Sequence, residues 1–222
     1  MTEIKICGIT SLEDALTAAD CGADALGFIF HRPSPRFVTP ERVRKIVNHL
    51  PPHIATVGVF VNKPAIEVRE IVSRCGLHLI QLHGDESPAY CSQFPASTLI
   101  RALSTHSRED RESPECYVVR AFLLDAREGD RYGGTGKTAD WDLAARISRR
   151  YPLILAGGLQ AGNIVRAIHC VRPAAVDLNS GVESQPGKKD RRKIEETVGI
   201  IRKIDGAKAN HSCKIFRPEK AQ

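Results

Sequence analysis

The 222 residues carry 42% hydrophobic and 26% charged side chains and a formal net charge of +6. This is the balance of a globular chain, with no apolar run approaching the roughly 18 residues that span a bilayer. The positive charge suits an anionic partner, either nucleic acid or a phosphorylated metabolite, but no RNP-like aromatic run, zinc-finger spacing or sustained lysine/arginine block points to nucleic acid.

Taken in chain order, short apolar runs alternate with segments of helical periodicity. Ile4 to Cys7 reads as a first strand, and Ser11 to Cys21 as a helix with Leu12, Ala15, Leu16 and Ala19 on one face. Ala25 to Phe30 is a second strand, followed by a proline-rich loop and a helix from Pro40 to Leu50. Thr56 to Val61 is the third strand, and the helix from Pro64 to Cys75 opens on a proline and stops at Gly76, the usual helix punctuation. Leu79 to Leu82, Thr98 to Leu103 and Val118 to Asp125 follow as strands. Ser87 to Phe94 is a helix candidate, and the polar stretch Thr105 to Glu115 gives a weak helical signal. Ala126 to Asp140 reads as a long loop and Trp141 to Arg150 as a helix. The last units are Leu153 to Ala156 with the helix Gly162 to Cys170, then Ala175 to Leu178 with the helix Lys189 to Asp205.

Eight near-continuous apolar runs, alternating with seven or eight helical patterns, are what a parallel sheet buried on both faces requires. A doubly wound open sheet is the rival. It would place its glycine-rich turn after the first strand, where Gly8 stands alone, whereas the glycine-rich loops here come after the sixth, seventh and eighth runs, a habit of barrels. The prediction is therefore a single (β/α)8 (TIM) barrel over residues 1–207. Barrels of this kind take roughly 250 residues, with about 200 as the lower end, so little room remains for insertions. Residues 208–222 read as a polar tail expected to be disordered. The seven cysteines are odd in number and none stands two residues from another, which argues against a disulfide framework and a structural zinc site. Free thiols and an N-terminus without a signal-peptide core predict a cytoplasmic location.

Chemistry in such barrels gathers at the C-terminal ends of the strands. Cys7, Gln81, His83, Asp125, Asp177 and Asn179 fall there. A lone cysteine is more often a small buried hydrophobe, and an aspartate after a strand can be a helix cap. Together Cys7 and Asp125 suggest an acid/base pair for proton transfer. Gly133-Gly134-Thr135-Gly136-Lys137-Thr138 lacks the spacing of a nucleoside-triphosphate loop and reads as a glycine-hinged lid or a phosphate cradle. Gly157-Gly158 and Asn179-Ser180-Gly181 follow adjacent late strands, where backbone N–H groups suit a monophosphate. Arg36, stiffened by Pro33-Ser34-Pro35, suits bidentate carboxylate binding. No His/Cys/Asp spacing suggests a metal.

In their order, Lys5-Ile6-Cys7-Gly8-Ile9-Thr10, Gly58-Val59-Phe60-Val61, Gln81-Leu82-His83-Gly84, Leu124-Asp125, Gly133 to Thr138, Ala156-Gly157-Gly158-Leu159, Ser180-Gly181-Val182-Glu183 and Pro186-Gly187-Lys188-Lys189-Asp190 resemble the phosphoribosylanthranilate isomerases. The resemblance spans roughly Ile4 to Ile204. It implies a barrel enzyme without cofactor or metal that catalyses an Amadori rearrangement in tryptophan biosynthesis, working as a monomer or homodimer on a small phosphorylated substrate. Asp125 would be the general acid, Cys7 the general base and Arg36 the holder of the anthranilate carboxylate. Gln81, His83, Gly134, Gly136, Gly157, Gly158, Asp177, Ser180 and Gly181 would line the substrate. Ala139 stands where an aromatic residue is expected, Asn179 where a serine is usual, and the stretch from Ser212 to Gln222 has no counterpart. A related barrel acting on an aminoimidazole ribotide would use two aspartates, against the cysteine here. A binding module that has lost catalysis would not need both Cys7 and Asp125.

Overall fold

The computed structural model describes residues 1–104, 113–125, 141–206 and 214–216. The strands are β1 (Glu3–Ile6), β2 (Ala25–Ile29), β3 (Ala55–Phe60), β4 (Leu79–Leu82), β5 (Leu99–Ser104), β6 (Ala121–Asp125), β7 (Leu153–Leu155) and β8 (Ala175–Leu178). They close in sequence order into one barrel, every neighbouring pair parallel, with β1 returning to β8. The helices are α1 (Leu12–Asp20), α2 (Pro40–Val47), α3 (Ala65–Cys75), α4 (Pro88–Cys91), α5 (Trp141–Ser148), α6 (Ile164–Val171) and α7 (Arg191–Gly206). The (β/α)8 expectation and its strand order hold.

Local chemistry sets the helix ends. The side chains of Ser11, Thr39 and Ser87 accept from the backbone N–H groups of Asp14, Arg42 and Tyr90, and prolines at the start of α2 and α4 need no N–H partner there. Gly76 closes α3 in the left-handed region at φ 66°. The larger apolar layer lies between strands and helices, where Phe28, Phe60, Phe122 and Leu155 meet Val43, Val68, Ala144 and Ile168. A second cluster fills the barrel interior, with Val57, Leu79, Ile100, Leu123 and Ile154 among its members. Side chains alternate along each strand, so Lys5 lies on the inner face with Cys7, Gln81 with His83, and Asp177 with Asn179.

Several boundaries differ from expectation for visible reasons. Strand β6 begins at Ala121 rather than Val118, which is 79% exposed; Arg120 keeps its backbone N–H on the Leu99 carbonyl while its side chain donates to the Ser97 and Ile215 carbonyls. Helix α7 begins at Arg191 rather than Lys189. The preceding residues form an antiparallel hairpin, β9 (Glu183–Gln185) and β10 (Lys188–Lys189), which turns Lys189 inward. The Ser87 to Phe94 candidate shortens to α4. Pro114–Cys116 makes one 3-10 turn, while residues 105–112 of that weak helix and the whole Ala126 to Asp140 loop lie outside the described residues.

The expectation of a disordered tail fails at Ile215 and Phe216, which are buried inside the barrel's N-terminal end. The first inward positions of four strands are alanines, Ala25, Ala55, Ala121 and Ala175, and they leave a bottom layer too small to fill itself. Ile215 and Phe216 occupy that space. Glu3 accepts from the backbone N–H groups of both, at 3.1 Å for Phe216. Near the same end, the Thr2 N–H donates to the Asp205 carboxylate at 2.9 Å and Arg202 donates to the Thr2 carbonyl at 2.8 Å.

Candidate active site

The opposite, C-terminal end of the barrel holds a cavity of about 460 Å³. Cys7, Arg36, Gln81, His83, Asp125, Gly157, Gly158, Asp177, Asn179, Ser180 and Gly181 all line it. The sequence-selected residues are thus brought together, apart from Gly134 and Gly136, which lie outside the described residues together with Lys137 and Ala139. Cys7 follows β1 and Asp125 ends β6, so the thiol and the carboxyl approach the same space from strands separated by β7 and β8.

Three polar groupings hold the walls. In the first, the Lys5 ammonium lies 2.9 Å from each Asp177 oxygen, with the lysine fully buried. Strand register sets Lys5 directly opposite Asp177. Burial disfavours the Lys5 ammonium, but the Asp177 carboxylate and the Cys7 sulfur together hold it above its ordinary value. Burial also pushes the Asp177 carboxyl up and Lys5 pulls it back. With both oxygens at hydrogen-bond distance, the pair is ionic. The Cys7 thiol is pushed up by burial, and the adjacent Lys5 charge offsets part of that rise.

In the second grouping, Arg36 donates through Nε and Nη2 to Glu183 at 2.9 and 2.7 Å. Lys189 reaches the same carboxylate at 2.8 Å and the Asn179 side chain at 3.1 Å. Burial alone would raise the Glu183 carboxyl; Arg36 and Lys189 overcome it and hold the group below its ordinary value. The Arg36 stem crosses Gly8, where an added Cβ would come within 2.7 Å of its Cδ. In the third grouping, the Gln81 amide meets His83 Nδ1 at 2.8 Å, and His83 Nε2 lies 3.5 Å from Asp125. The ring's tautomer follows the orientation assigned to the amide.

The loops after β7 and β8 are locked against each other. Gly157 and Gly158 adopt φ of 91° and 63°, in the left-handed region. An ideal Cβ on Gly181 would stand 2.0 Å from the Leu159 carbonyl oxygen, so only glycine lets the two loops approach this closely. Sequence reasoning did not assign roles to Lys5, Glu183 or Lys189. The available signal was alternation, since Lys5 precedes Cys7 by two positions. Glu183 and Lys189 stand in the motifs that carry the family resemblance, but nothing local showed their roles, because their partners are fixed by tertiary pairing.

The fold and the groups in its mouth define an enzyme of the (β/α)8-barrel class whose chemistry is proton transfer on a small substrate. Comparison with known proteins narrows this. Residues 4–199 match the family model for N-(5'phosphoribosyl)anthranilate (PRA) isomerase. An N-(5'-phosphoribosyl)anthranilate isomerase from Syntrophus aciditrophicus is 54% identical over 206 residues, covering 93% of this chain and 90% of the relative. The crystal structure of the phosphoribosyl anthranilate isomerase from Thermotoga maritima superposes with a TM-score of 0.80 at 38% identity, covering 91% of this chain and all of that one. A phosphoribosyl anthranilate isomerase in complex with reduced 1-(o-carboxyphenylamino)-1-deoxyribulose 5-phosphate superposes with a TM-score of 0.76 at 35% identity, with the same coverage. The chain belongs to the N-(5'-phosphoribosyl)anthranilate isomerase family.

Proposed function

We propose that this chain isomerises N-(5'-phosphoribosyl)anthranilate to 1-(2-carboxyphenylamino)-1-deoxyribulose 5-phosphate in tryptophan biosynthesis, with Asp125 as acid and Cys7 as base. The observation that carries the assignment of roles is that one carboxyl and one thiol enter the same cavity from separated strand ends. Asp125 gives its proton to the ribose ring oxygen, and the ring opens to a Schiff base at C1. The Cys7 thiolate then removes the proton from C2, the electrons move into the C1–C2 bond, and the resulting enolamine tautomerises to the ketone. No atom is gained or lost, so the residues need only move protons and hold the two ends of the substrate.

The anthranilate carboxylate is assigned to Arg36. Glu183 occupies Nε and one N–H side of the fork and leaves Nη1 for the ligand. Glu183→Gln weakens that grip, and KM is expected to rise about tenfold with kcat nearly unchanged, corresponding to about 1.4 kcal/mol of binding. The phosphate is assigned to the glycine loops around Gly157-Gly158 and Ser180-Gly181, whose backbone N–H groups are close enough to converge only while the loops stay clasped. Gly181→Ala forces the Leu159 carbonyl away and is expected to raise KM by about tenfold or more, read from steady-state kinetics and from the inhibition constant of inorganic phosphate.

The direct test follows the fluorescence of phosphoribosylanthranilate generated in situ from anthranilate and phosphoribosyl pyrophosphate. Rapid loss with the protein supports the reading. No loss above background would leave the family scaffold without this activity and move a binding role forward.

Among the described residues no helix is long and apolar enough to cross a membrane. The cytoplasmic reading rests on the six cysteines among the described residues, which are free thiols.

A further inference from the structure

A cysteine takes a proton only as thiolate, and Cys7 is 4% exposed, in surroundings that oppose charge. Two cations face it. Lys189 has all its hydrogens committed, to Glu183 at 2.8 Å and to the side chain and carbonyl of Asn179 at 3.1 and 3.4 Å. Lys5 uses two hydrogens on the Asp177 oxygens, which leaves one for the Cys7 sulfur standing beside it next to Gly27. The neighbouring strand makes room for this contact. On Gly27 of β2 an ideal Cβ would lie 2.8 Å from the Cys7 Sγ and 3.0 Å from the Lys5 Nζ, so any side chain there would push the two groups apart. The remaining charged groups around the cluster are Asp177 on β8, which faces Asp125 and His83 across the cavity, and Arg36 beside Lys189. Elsewhere the barrel interior is filled by Val57, Ala102, Leu123 and Ala156, so a wholly buried lysine is not demanded by packing.

We infer that Lys5 is a positioning residue: locked onto Asp177, its ammonium points its third N–H at the Cys7 sulfur and holds the thiolate that removes the C2 proton. The inference rests on the assignment of Cys7 as base. Lys5 acts through the thiol and does not touch the substrate. Asp177 sets the direction of the ammonium and keeps it charged.

The test measures the thiol separately from turnover. Iodoacetamide alkylation of the Cys7 peptide is followed by mass spectrometry against pH in wild type, Lys5→Met and the double variant Lys5→Met/Asp177→Asn. The double variant replaces both charges by neutral groups of similar size, and it carries the test if the single variant leaves Asp177 unpaired and does not fold. Loss of the ammonium is expected to move the alkylation midpoint up by about one pH unit or more, which is about tenfold slower labelling at neutral pH. In Lys5→Met kcat is expected to fall by about the same factor with KM changed less than about threefold, the acidic limb of the kcat profile moving up with the thiol, and Lys5→Arg is expected to recover part of both. An unchanged midpoint in a folded variant overturns the inference, as does a shifted midpoint with unchanged kcat. Full activity of Cys7→Ala would instead remove the base assignment, a result the alkylation midpoint does not share.

Discussion

Replacing Cys7 by alanine is expected to lower kcat by about a thousandfold, and Asp125→Asn by a similar factor, with KM within about threefold of wild type. A positioned acid or base contributes about 10²- to 10⁴-fold, and neither substitution removes the groupings assigned to hold the carboxylate and phosphate. Alanine cannot accept the C2 proton. Asparagine keeps the volume of Asp125 and its approach to His83 but has no carboxyl proton to give. The two losses belong to successive steps of one reaction, so the double variant is expected to fall well short of the product of the single effects. Steady-state fluorescence at saturating substrate reads all three variants. Retention of more than about a tenth of kcat by either single variant would show that another group moves that proton.

The second large effect concerns stability and arises at the other end of the barrel. Phe216→Ala empties the space that Ala25, Ala55, Ala121 and Ala175 leave beneath the interior layer. Large-to-small changes of a buried phenylalanine cost about 3–5 kcal/mol. For a domain of this length each kcal/mol lowers Tm by about 2–4 °C, so a fall of about 10 °C is expected. Thermal unfolding followed by circular dichroism measures it, with kcat at 25 °C unchanged because the catalytic mouth lies at the opposite end. An unaltered Tm would mean that the segment contributes nothing to holding the barrel closed.

The strands were legible because a parallel barrel buries both faces of every strand, which writes unbroken runs such as Ala25 to Phe30 into the chain. Cys7, His83 and Asp125 could be picked out because a reactive side chain at the end of such a run is visible without knowing its neighbours. The pairing that gives Lys5, Glu183 and Lys189 their roles was not visible in this way. Each is a charged residue of the kind that usually faces water, and burial becomes favourable only through a partner elsewhere in the chain, such as Asp177 for Lys5 or Arg36 for Glu183. Ile215 and Phe216 are a two-residue apolar island in a charged tail, too short for any periodicity to report. Their place follows from what the alanines of four distant strands leave empty.

The seam between β1 and β8 joins positions 172 residues apart, Lys5 and Asp177. A ribosome releases the first strand long before its partner exists. Until the eighth strand emerges, β1 has an unpaired edge, the feature of nascent sheets most open to wrong pairing. Because Asp205 and the Ile215-Phe216 pair that tie down residues 2 and 3 are made later still, the barrel cannot be fully closed and fastened until residue 216 has emerged. Ribosome-bound chains stalled before residue 175 should therefore lack the pairing that brings Lys5 to Asp177, and with it the environment of Cys7.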